Sequence, residues 1–508
     1  MRERVLTTTF GAGDVFDAFV AAFRLPDLIF NLVVIGALSA AFIPLFTDKL
    51  VKGGKGNKQA FDFAAAVLNM MLILVGVFSL GYFLLADYLM PLIAPGFIGE
   101  KLELTVRLSR IMVWQPVLLA ISFVFSGVLN SFKKFFVYSL APILYNIGII
   151  FGVVVLVPMM GVAGLGWGVV LGALLHMIVQ LPSVLRTGFK WQPILGWSSR
   201  DMKKMGKMMV PRVVGLMAQQ VNLLVVTIIG SGLVVGSVTA FHLANNVQYL
   251  PVGVFGLAFA QAAFPTMAEL YSRGRKKEFV NTLTNAFRYI LFFVVPISVF
   301  FLLLRSQIIR VLFGDGAFDW EDTFLTFETF TWLIVSIFAQ ASVPLLTRAF
   351  YVQQNVRTPV VIAVISMAVN VAGALWLAPA LGVQGLAMAF SAAAIVNLVL
   401  LLATLHWQFG GFNDREVLSS LWRIALAAMI AGACVQGLKY PVAAVVDMQR
   451  FWGIAAQMLV AGAGGVVAYL LVSWMLRSKE LVAIKKYLPK QLVPPAGTET
   501  TRFEGLLD

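Results

Sequence analysis

Long apolar runs, separated by short polar segments, follow one another along nearly the whole chain. Each run is about 20 residues or longer, the length that an α-helix needs to cross a hydrocarbon core of about 30 Å. The pattern predicts thirteen helical spans. It excludes a transmembrane β-barrel, whose strands would alternate apolar and polar residues over about ten positions. The predicted spans are residues 14–46, 59–90, 104–130, 136–158, 162–185, 206–230, 236–268, 279–304, 325–351, 359–379, 383–406, 416–438 and 451–476.

The polar segments between the runs alternate in charge. One set is basic, whereas the intervening segments are short and nearly uncharged or carry acids, as in "GDGAFDWED" at 314–322. The positive-inside rule places the basic set in the cytoplasm. We therefore expect a multi-pass protein and no nucleic-acid partner, because the net charge of +14 is spread over loops. The basic residues begin with Lys49, Lys52, Lys55, Lys58, Lys133 and Lys134, and continue around 186–207, 273–277, 357, 415 and 477–490.

Composition agrees with a membrane protein and narrows its chemistry. The chain is 60% hydrophobic and 12% charged, against about 25% charged residues in ordinary globular domains. The single cysteine, Cys434, excludes an intramolecular disulfide, and three scattered histidines give no basis for a histidine metal site. No Walker A, HExxH or nucleophile-elbow motif is present. We therefore expect no enzyme and no cofactor, with an ion gradient or the membrane potential as the energy source.

The chain also repeats itself. "LVPMMGVAGLGWG" at 156–168 matches "LAPALGVQGLAMA" at 377–389, an offset of 221 (377 − 156), and "DAF" at 17–19 matches "TAF" at 239–241, an offset of 222 (239 − 17). The alternative is shared Pro and Gly turn chemistry without duplication. A repeat predicts two six-helix bundles related by a pseudo-twofold axis along the membrane normal. Two further helices follow. Only 13 residues precede residue 14, too few to cross the membrane as a helix, so either the N-terminus lies outside or at mid-membrane, or the first span of the first bundle is incomplete.

This interpretation divides the chain into four parts. We assign 1–190 to an N-terminal transmembrane bundle, 201–410 to a C-terminal transmembrane bundle, 411–478 to two additional transmembrane helices and 479–508 to a cytoplasmic tail.

Ionisable residues inside the first run are the main functional signal. Arg24 lies ten residues from residue 14, about 15 Å along a helix, where a charge costs roughly 2.5–3.5 kcal/mol. Asp17 shares its helix face, and Asp27 lies one turn further on. Because a guanidinium binds phosphate or carboxylate through two bonds, we expect a hydrated cavity with Arg24 placed for an anionic substrate. The alternative is an ion pair that only fixes helix packing.

In the second half, Asn245, Asn246 and Gln248 occupy the region equivalent to Arg24. Arg348 is a further buried polar candidate. Each amide considered alone is better explained by an interhelical hydrogen bond worth around 0.6 kcal/mol.

Several of these stretches resemble one known family. "FGAGDVFDAFVAAFRLPDL", "GALSAAFIPLF", "GVLNSFKKFFVYSLAPILYN" and "RAFYVQQNVRTPV" are similar to segments of the MurJ (MviN) family of lipid II flippases, within the multidrug/oligosaccharidyl-lipid/polysaccharide exporter superfamily. The resemblance implies flipping of undecaprenyl-pyrophosphate-linked peptidoglycan precursor across the bacterial cytoplasmic (inner) membrane by alternating access. It also implies two C-terminal helices beside a groove for the lipid tail. The expected partners are this substrate and membrane lipids, and we expect a monomer.

The resemblance also extends to single residues. Arg2 and Arg24 match basic family positions and Asp17 matches a family acid, whereas Asn245 and Asn246 replace an acid–arginine pair. Some relatives have a sodium site, for which Asn370 is the only metal candidate here. The candidate substrate-binding residues are Arg2, Asp17, Arg24, Asp27, Asn245, Asn246, Gln248 and Arg348.

Three other functions remain open at this point. A flippase or exporter of another polyprenyl-linked glycan, a drug or cation antiporter, and a non-transporting scaffold would all be compatible with the pattern of spans.

Overall fold

A computed structural model describes residues 1–35, 42–52, 57–196, 199–411 and 414–487, and its regular secondary structure there is helical. The α-helices are α1 (Arg2–Phe10), α2 (Asp14–Ile29), α3 (Ile43–Lys52), α4 (Lys58–Ile93), α5 (Glu100–Met112), α6 (Gln115–Ser131), α7 (Phe135–Phe151), α8 (Val157–Met160), α9 (Ala163–Ile178), α10 (Leu181–Leu185), α11 (Arg200–Gly230), α12 (Ser237–Pro251), α13 (Ala258–Ser272), α14 (Lys276–Leu303), α15 (Arg305–Phe313), α16 (Trp320–Ile334), α17 (Ile337–Val352), α18 (Arg357–Leu381), α19 (Val383–Phe409), α20 (Asp414–Val445), α21 (Phe451–Met475) and α22 (Lys479–Tyr487).

The long helices confirm a multi-pass membrane protein. Within the described residues, ten helical segments are long and apolar enough to cross a membrane, and α16 with α17, bent by 47°, forms an eleventh. These eleven correspond to eleven of the thirteen predicted spans. The predicted span 14–46 lies partly outside the described residues. In α11, which contains the predicted span 206–230, the short apolar part is Gln220–Gly230, so the count of thirteen stays a prediction.

The two helices that carry the polar candidates are interrupted in the same way. The π-helical segment Phe30–Ile35 follows the proline of α2, and Val252–Leu257 follows the proline that ends α12. The two segments are 222 residues apart (252 − 30). Proline removes a backbone donor and crowds the preceding turn, and a widened turn is one way for the helix to continue. The two helices are therefore interrupted at corresponding positions.

The repeated glycine motif makes the same turn twice. Gly161 and Gly382 end α8 and α18 with φ of 71° and 61°, a conformation that glycine adopts without steric cost. Three residues later, a Cβ on Gly164 or on Gly385 would lie 2.5 Å from backbone atoms of the preceding helix. The sequence match thus reflects one tight helix–helix turn, used in α8–α9 and again in α18–α19.

A buried ion pair contributes to the attachment of the C-terminal helices to the rest of the molecule. Helices α20 and α21 pack together, and α20 packs on α14. Arg288 of α14 donates from Nε to Glu480 Oε1 of α22 at 2.9 Å. The same carboxylate accepts from Ser420 at 2.5 Å and from Ser478 at 2.6 Å. The predicted tail 479–508 therefore begins as a docked helix, and residues 488–508 lie outside the described part.

Candidate functional site

Two polar cavities lie along α12, and their linings differ in chemistry. The first, called the charged cavity, has a volume of about 320 Å³ and is formed by α1, α2, α6, α7, α9 and α12. Its charged and imidazole side chains are two arginines, two acids and two histidines, and aromatic side chains from α2, α6 and α7, Tyr145 among them, complete the wall. The arginines, acids and histidines of the lining are Arg2, Glu3, Arg24, Asp27, His176 and His242.

Arg24 is oriented by the second half of the chain. Its Nε donates to Thr227 Oγ1 of α11 at 2.7 Å, and Thr227 in turn donates to the carbonyl of Leu223 at 3.0 Å. A guanidinium carries five N–H donors, so this one bond fixes the side chain and leaves its terminal nitrogens at the cavity. Asp27 lines the same cavity one helical turn away. The structure thus brings Arg2, Arg24 and Asp27 together.

Arg2 differs from Arg24 because a carboxylate balances it. Arg2 forms an ion pair with the neighbouring Glu3. Glu3 Oε1 also lies 3.6 Å from His242 Nε2 and accepts from Asn246 Nδ2 at 3.5 Å. Sequence analysis did not select Glu3. The usable signal was its position between two arginines, in the "RER" at residues 2–4. The cavity is therefore a mixed-charge site in which Arg24 is held by a neutral acceptor.

Asp17 lies in a different environment, which corrects the predicted cluster of Asp17, Arg24 and Asp27. Its side chain is 1% exposed and accepts from the N–H of Gly236 (2.8 Å), the N–H and hydroxyl of Thr239 (2.9 and 2.8 Å) and Lys101 Nζ (2.9 Å). The carboxylate caps the N-terminus of α12, where negative charge is stabilised. Asp17 and Arg24 are seven positions apart, so they lie on the same face of α2 but about 10 Å from each other along the helix axis.

The Asp17 contact is one of several that join the two halves at one end of the molecule. Gly96 N–H donates to Ser231 Oγ at 3.0 Å, and Ala12 N–H donates to Asp322 Oδ2 at 2.8 Å. These segments belong to the end that the charge pattern assigns to the outer face. We call this set of contacts, with those of Asp17, the outer junction.

The second cavity, called the neutral cavity, has a volume of about 330 Å³ and lies among α11, α12, α17, α18 and α19. Amide side chains and tyrosines provide its polar groups. Among the described residues that line it, none is charged. The amides and tyrosines are Asn222, Tyr249, Asn245, Gln340, Tyr351 and Asn397.

Three of the predicted amides take separate places around α12. Gln248 is buried behind the neutral cavity, where its Nε2 donates to Asn245 Oδ1 at 3.0 Å, and it accepts from Gln340 Nε2 at 2.9 Å. Asn245 lines the neutral cavity. Asn246 instead contacts His242 Nε2 at 3.1 Å, beside the charged cavity. Neighbouring asparagines therefore face different cavities, and Gln248 positions Asn245.

The last two candidates lie outside both linings. Arg348 of α17 donates from Nη1 to the carbonyl of Leu257 at 3.5 Å. Asn370 is fully buried, donates to Asn222 Oδ1 at 3.2 Å, and has an Oδ1 with no hydrogen-bond partner. The described residues contain no group of three or more His, Cys, Asp or Glu that could hold a metal. These neutral amides lack the carboxylates on which hard-cation sites usually rely, so a cation site at Asn370 does not fit its described neighbours.

An apolar cavity of about 620 Å³ lies between α14, α17, α19 and α20. Its wall is built mainly from leucine, valine and phenylalanine side chains, with Leu421 contributed by the first of the two C-terminal helices. The cavity therefore lies where the resemblance implied a groove for a lipid tail.

A family model described as "Lipid II flippase MurJ" matches residues 6–454 of the chain. The chain is 29% identical over 455 residues to a probable lipid II flippase MurJ of Rhizobium meliloti (strain 1021), which covers 86% of this chain and 82% of that relative. It is 30% identical over 414 residues to a probable lipid II flippase MurJ of Rhizobium tropici, which covers 80% and 77%.

Solved structures share the fold. The structure described as "Lipid II flippase MurJ, inward closed conformation" superposes with a TM-score of 0.76 and 21% identity, covering 94% of this chain and 95% of that one. An inward-facing multidrug resistance MATE family transporter of the MOP superfamily gives a TM-score of 0.69 and 14% identity, covering 81% and 94%. At these identities the likeness concerns the fold alone.

Proposed function

Because the chain belongs to the lipid II flippase MurJ family, we propose that it moves an undecaprenyl-pyrophosphate-linked peptidoglycan precursor from the inner to the outer leaflet of the bacterial cytoplasmic membrane. The protein is a transporter and not an enzyme. The observation that carries the proposal is Arg24, a half-buried guanidinium held at a cavity by a neutral hydroxyl.

Charge balance explains why Arg24 is the anion ligand in this proposal. Arg2 already has a carboxylate partner in Glu3, whereas Thr227 uses only the Nε donor of Arg24. A guanidinium with free terminal N–H groups binds phosphate oxygens in a bidentate manner. Hydrogen bonds to charged groups contribute about 1.5–3 kcal/mol, so a pyrophosphate would gain substantially there.

The apolar cavity supports the lipid part of the proposal. Its leucine-rich wall suits an isoprenoid chain, for which each buried methylene contributes about 0.8 kcal/mol. Because α20 forms part of this wall, the two additional helices would serve tail binding.

The proposed architecture is two six-helix bundles related by a pseudo-twofold axis, with α20 and α21 added. The repeated π-helical segments and glycine turns support it. The outer junction joins the bundles at one face, so transport by alternating access requires that these contacts break. We propose that a monomer performs this cycle and that an ion gradient or the membrane potential drives it.

Translocation of lipid II in proteoliposomes tests this function. We expect the wild type to move lipid II between leaflets and Arg24→Ala to be about 10- to 150-fold slower, as loss of a charged hydrogen bond predicts. Arg273→Ala is the matched control, because this exposed arginine pairs with Glu269 one turn away on α13 and lines neither cavity. Wild-type rates in Arg24→Ala would overturn the role of Arg24. Preferential transport of another polyprenyl-linked glycan would reassign the cargo.

A further inference from the structure

We propose that the neutral cavity is a second binding region, which holds an uncharged N-acetylated sugar unit of the transported headgroup while the charged cavity holds the phosphate end. This inference rests on the proposed function, and it names the part of the substrate that the second half of the chain recognises.

The donor set of the neutral cavity fits a neutral polar ligand. Its four amides, Asn222, Asn245, Gln340 and Asn397, each carry one acceptor oxygen and two N–H donors, some of which are already bonded to neighbouring side chains. Sugar hydroxyls both donate and accept, and an acetamido group does the same through its N–H and carbonyl. An anion would find no cation among the described lining residues, and a cation would find no carboxylate.

Aromatic side chains supply a surface for the apolar face of a sugar ring. Tyr249 and Tyr351 are 43% and 39% exposed although they lie at the cavity, and Phe390 lines it as well. Tyrosine presents a flat apolar body and a polar tip. Small-molecule sites combine such aromatic surfaces with a few placed polar groups.

The amides are oriented before any ligand binds. Gln340 Nε2 donates to Gln248 Oε1 at 2.9 Å and lies 2.9 Å from Ser336 Oγ. Asn245 is fixed by its bond from Gln248 at 3.0 Å. A ligand therefore meets side chains whose rotamers are already restricted, which lowers the entropic cost of binding.

The two cavities lie side by side along helices α11 and α12, so one extended molecule can contact both. On α12, His242 lines the charged cavity and Asn245 lines the neutral cavity, about 4.5 Å apart along the helix axis. On α11, Thr227 holds Arg24 and Asn222 lines the neutral cavity. The geometry suits a headgroup in which an anionic group is joined to a neutral polar group.

Binding of two lipids to the full chain in nanodiscs tests the inference. The probes are undecaprenyl pyrophosphate and the same lipid carrying the N-acetylated disaccharide. We expect Asn397→Leu to weaken binding of the sugar-bearing lipid about fivefold, the worth of a hydrogen bond of about 1 kcal/mol. Tyr249→Leu should weaken it by a similar factor, because the flat ring face is lost. Binding of undecaprenyl pyrophosphate should stay within about twofold, and Tyr249→Phe should retain the affinity because the ring face remains.

Controls separate this inference from the function on which it rests. Asn130→Leu makes the same change in α6, outside the linings of both cavities, and thermal unfolding checks that each variant is folded. Arg24→Ala should weaken binding of both lipids. Equal affinity of the wild type for the two lipids, or equal weakening of both by Asn397→Leu, would overturn the inference while the proposed function stands. Failure of the folded wild type to bind either lipid would contradict the function as well.

Discussion

The charged and neutral cavities are nearly equal in volume, about 320 and 330 Å³, and both lie beside helices α11 and α12. The lining of the first contains charged side chains, whereas the described lining of the second contains none. Arg24 lines the first cavity, and the residue 222 positions later (246 − 24) is Asn246. The helices that carry these two residues are both interrupted by a π-helical segment, at Phe30–Ile35 and at Val252–Leu257. The comparison teaches that two helices can share the same kind of backbone interruption while the side chains that face the cavities differ.

The cost of placing charge inside a membrane explains why one cavity is charged and the other is neutral. An ionisable group in the membrane interior costs several kcal/mol unless it is hydrated or paired, whereas an amide satisfies itself through hydrogen bonds such as that between Gln248 and Gln340. Concentrating the charge in one cavity limits that cost. The second cavity can then distinguish neutral parts of a ligand.

Loss of Asp17 should have the largest effect, because this carboxylate joins the half that holds the charged cavity to α12. Asp17→Ala leaves Lys101 and two N–H groups of the α12 N-terminus without this acceptor. We expect the free energy of unfolding to fall by about 3–5 kcal/mol, as for other broken buried pairs. Asp14→Ala is the control, because Asp14 contacts the same lysine at 2.7 Å but is 58% exposed and should cost less than about 1 kcal/mol. Equal losses in thermal or denaturant unfolding would contradict a junction role.

Glu480 of α22 lies away from both cavities, so its substitution tests stability without changing either lining. Burial opposes its ionisation, but hydrogen bonds from Ser420 and Ser478 and the charge of Arg288 outweigh burial and hold the pKa of Glu480 below its ordinary value. Its stabilisation is therefore present above the ordinary glutamate pKa of about 4.3 and is lost as pH falls through the native pKa.

The corresponding variant, Glu480→Gln, should lower the free energy of unfolding at neutral pH by about 2–3 kcal/mol, and the difference from wild type should shrink below pH about 4. Glu416→Gln should have a smaller effect, because this glutamate contacts the same Arg288 at 3.3 Å but is 48% exposed. Neither variant should change the ratio of affinities for the two lipid probes. A changed ratio would show that the difference between the cavities depends on the C-terminal helices.

A carboxylate introduced at either of two neighbouring positions of α12 tests which cavity holds the phosphate. Asn246→Asp adds a carboxylate beside the charged cavity, and Asn245→Asp adds one at the neutral cavity. At about 8 Å and an effective dielectric of about 20, repulsion of a bound anion amounts to about 2 kcal/mol and falls with distance. We expect Asn246→Asp to weaken binding of undecaprenyl pyrophosphate about tenfold and Asn245→Asp to weaken it less. The reverse order, measured by titration, would place the phosphate in the other cavity.

The sequence predicted those features of the fold that depend on local pattern. Apolar runs predicted eleven of the membrane-crossing segments because length and hydropathy alone decide whether a helix can span a bilayer. Pro26 in α2 and Pro251 at the end of α12 precede the two interruptions, and such a signal is visible in a sequence because proline acts on its own turn. The glycine turns were visible as a repeat for the same reason.

The site was only partly predictable, because it depends on contacts between distant helices. Helical periodicity placed Asp17 and Arg24 on one face of the helix, but it does not show which residues of other helices each side chain contacts. Asp17 is hydrogen-bonded to residues more than 200 positions away in the sequence. The pairing of Arg2 with Glu3 reduces the cationic character expected from the arginines alone. The neutral cavity gathers amides from four helices, and no local spacing reveals such a set.

The most direct measurement compares the affinities of undecaprenyl pyrophosphate and uncharged undecaprenol for the wild type and for Arg24→Gln in nanodiscs. Because Arg24 alone among the cavity arginines is held by a neutral acceptor, we predict that the wild type prefers the pyrophosphate. Arg24→Gln should reduce that preference at least about tenfold, with undecaprenol binding unchanged and Arg273→Gln behaving as wild type. An undiminished preference in Arg24→Gln would contradict the claim that this guanidinium binds the anionic group.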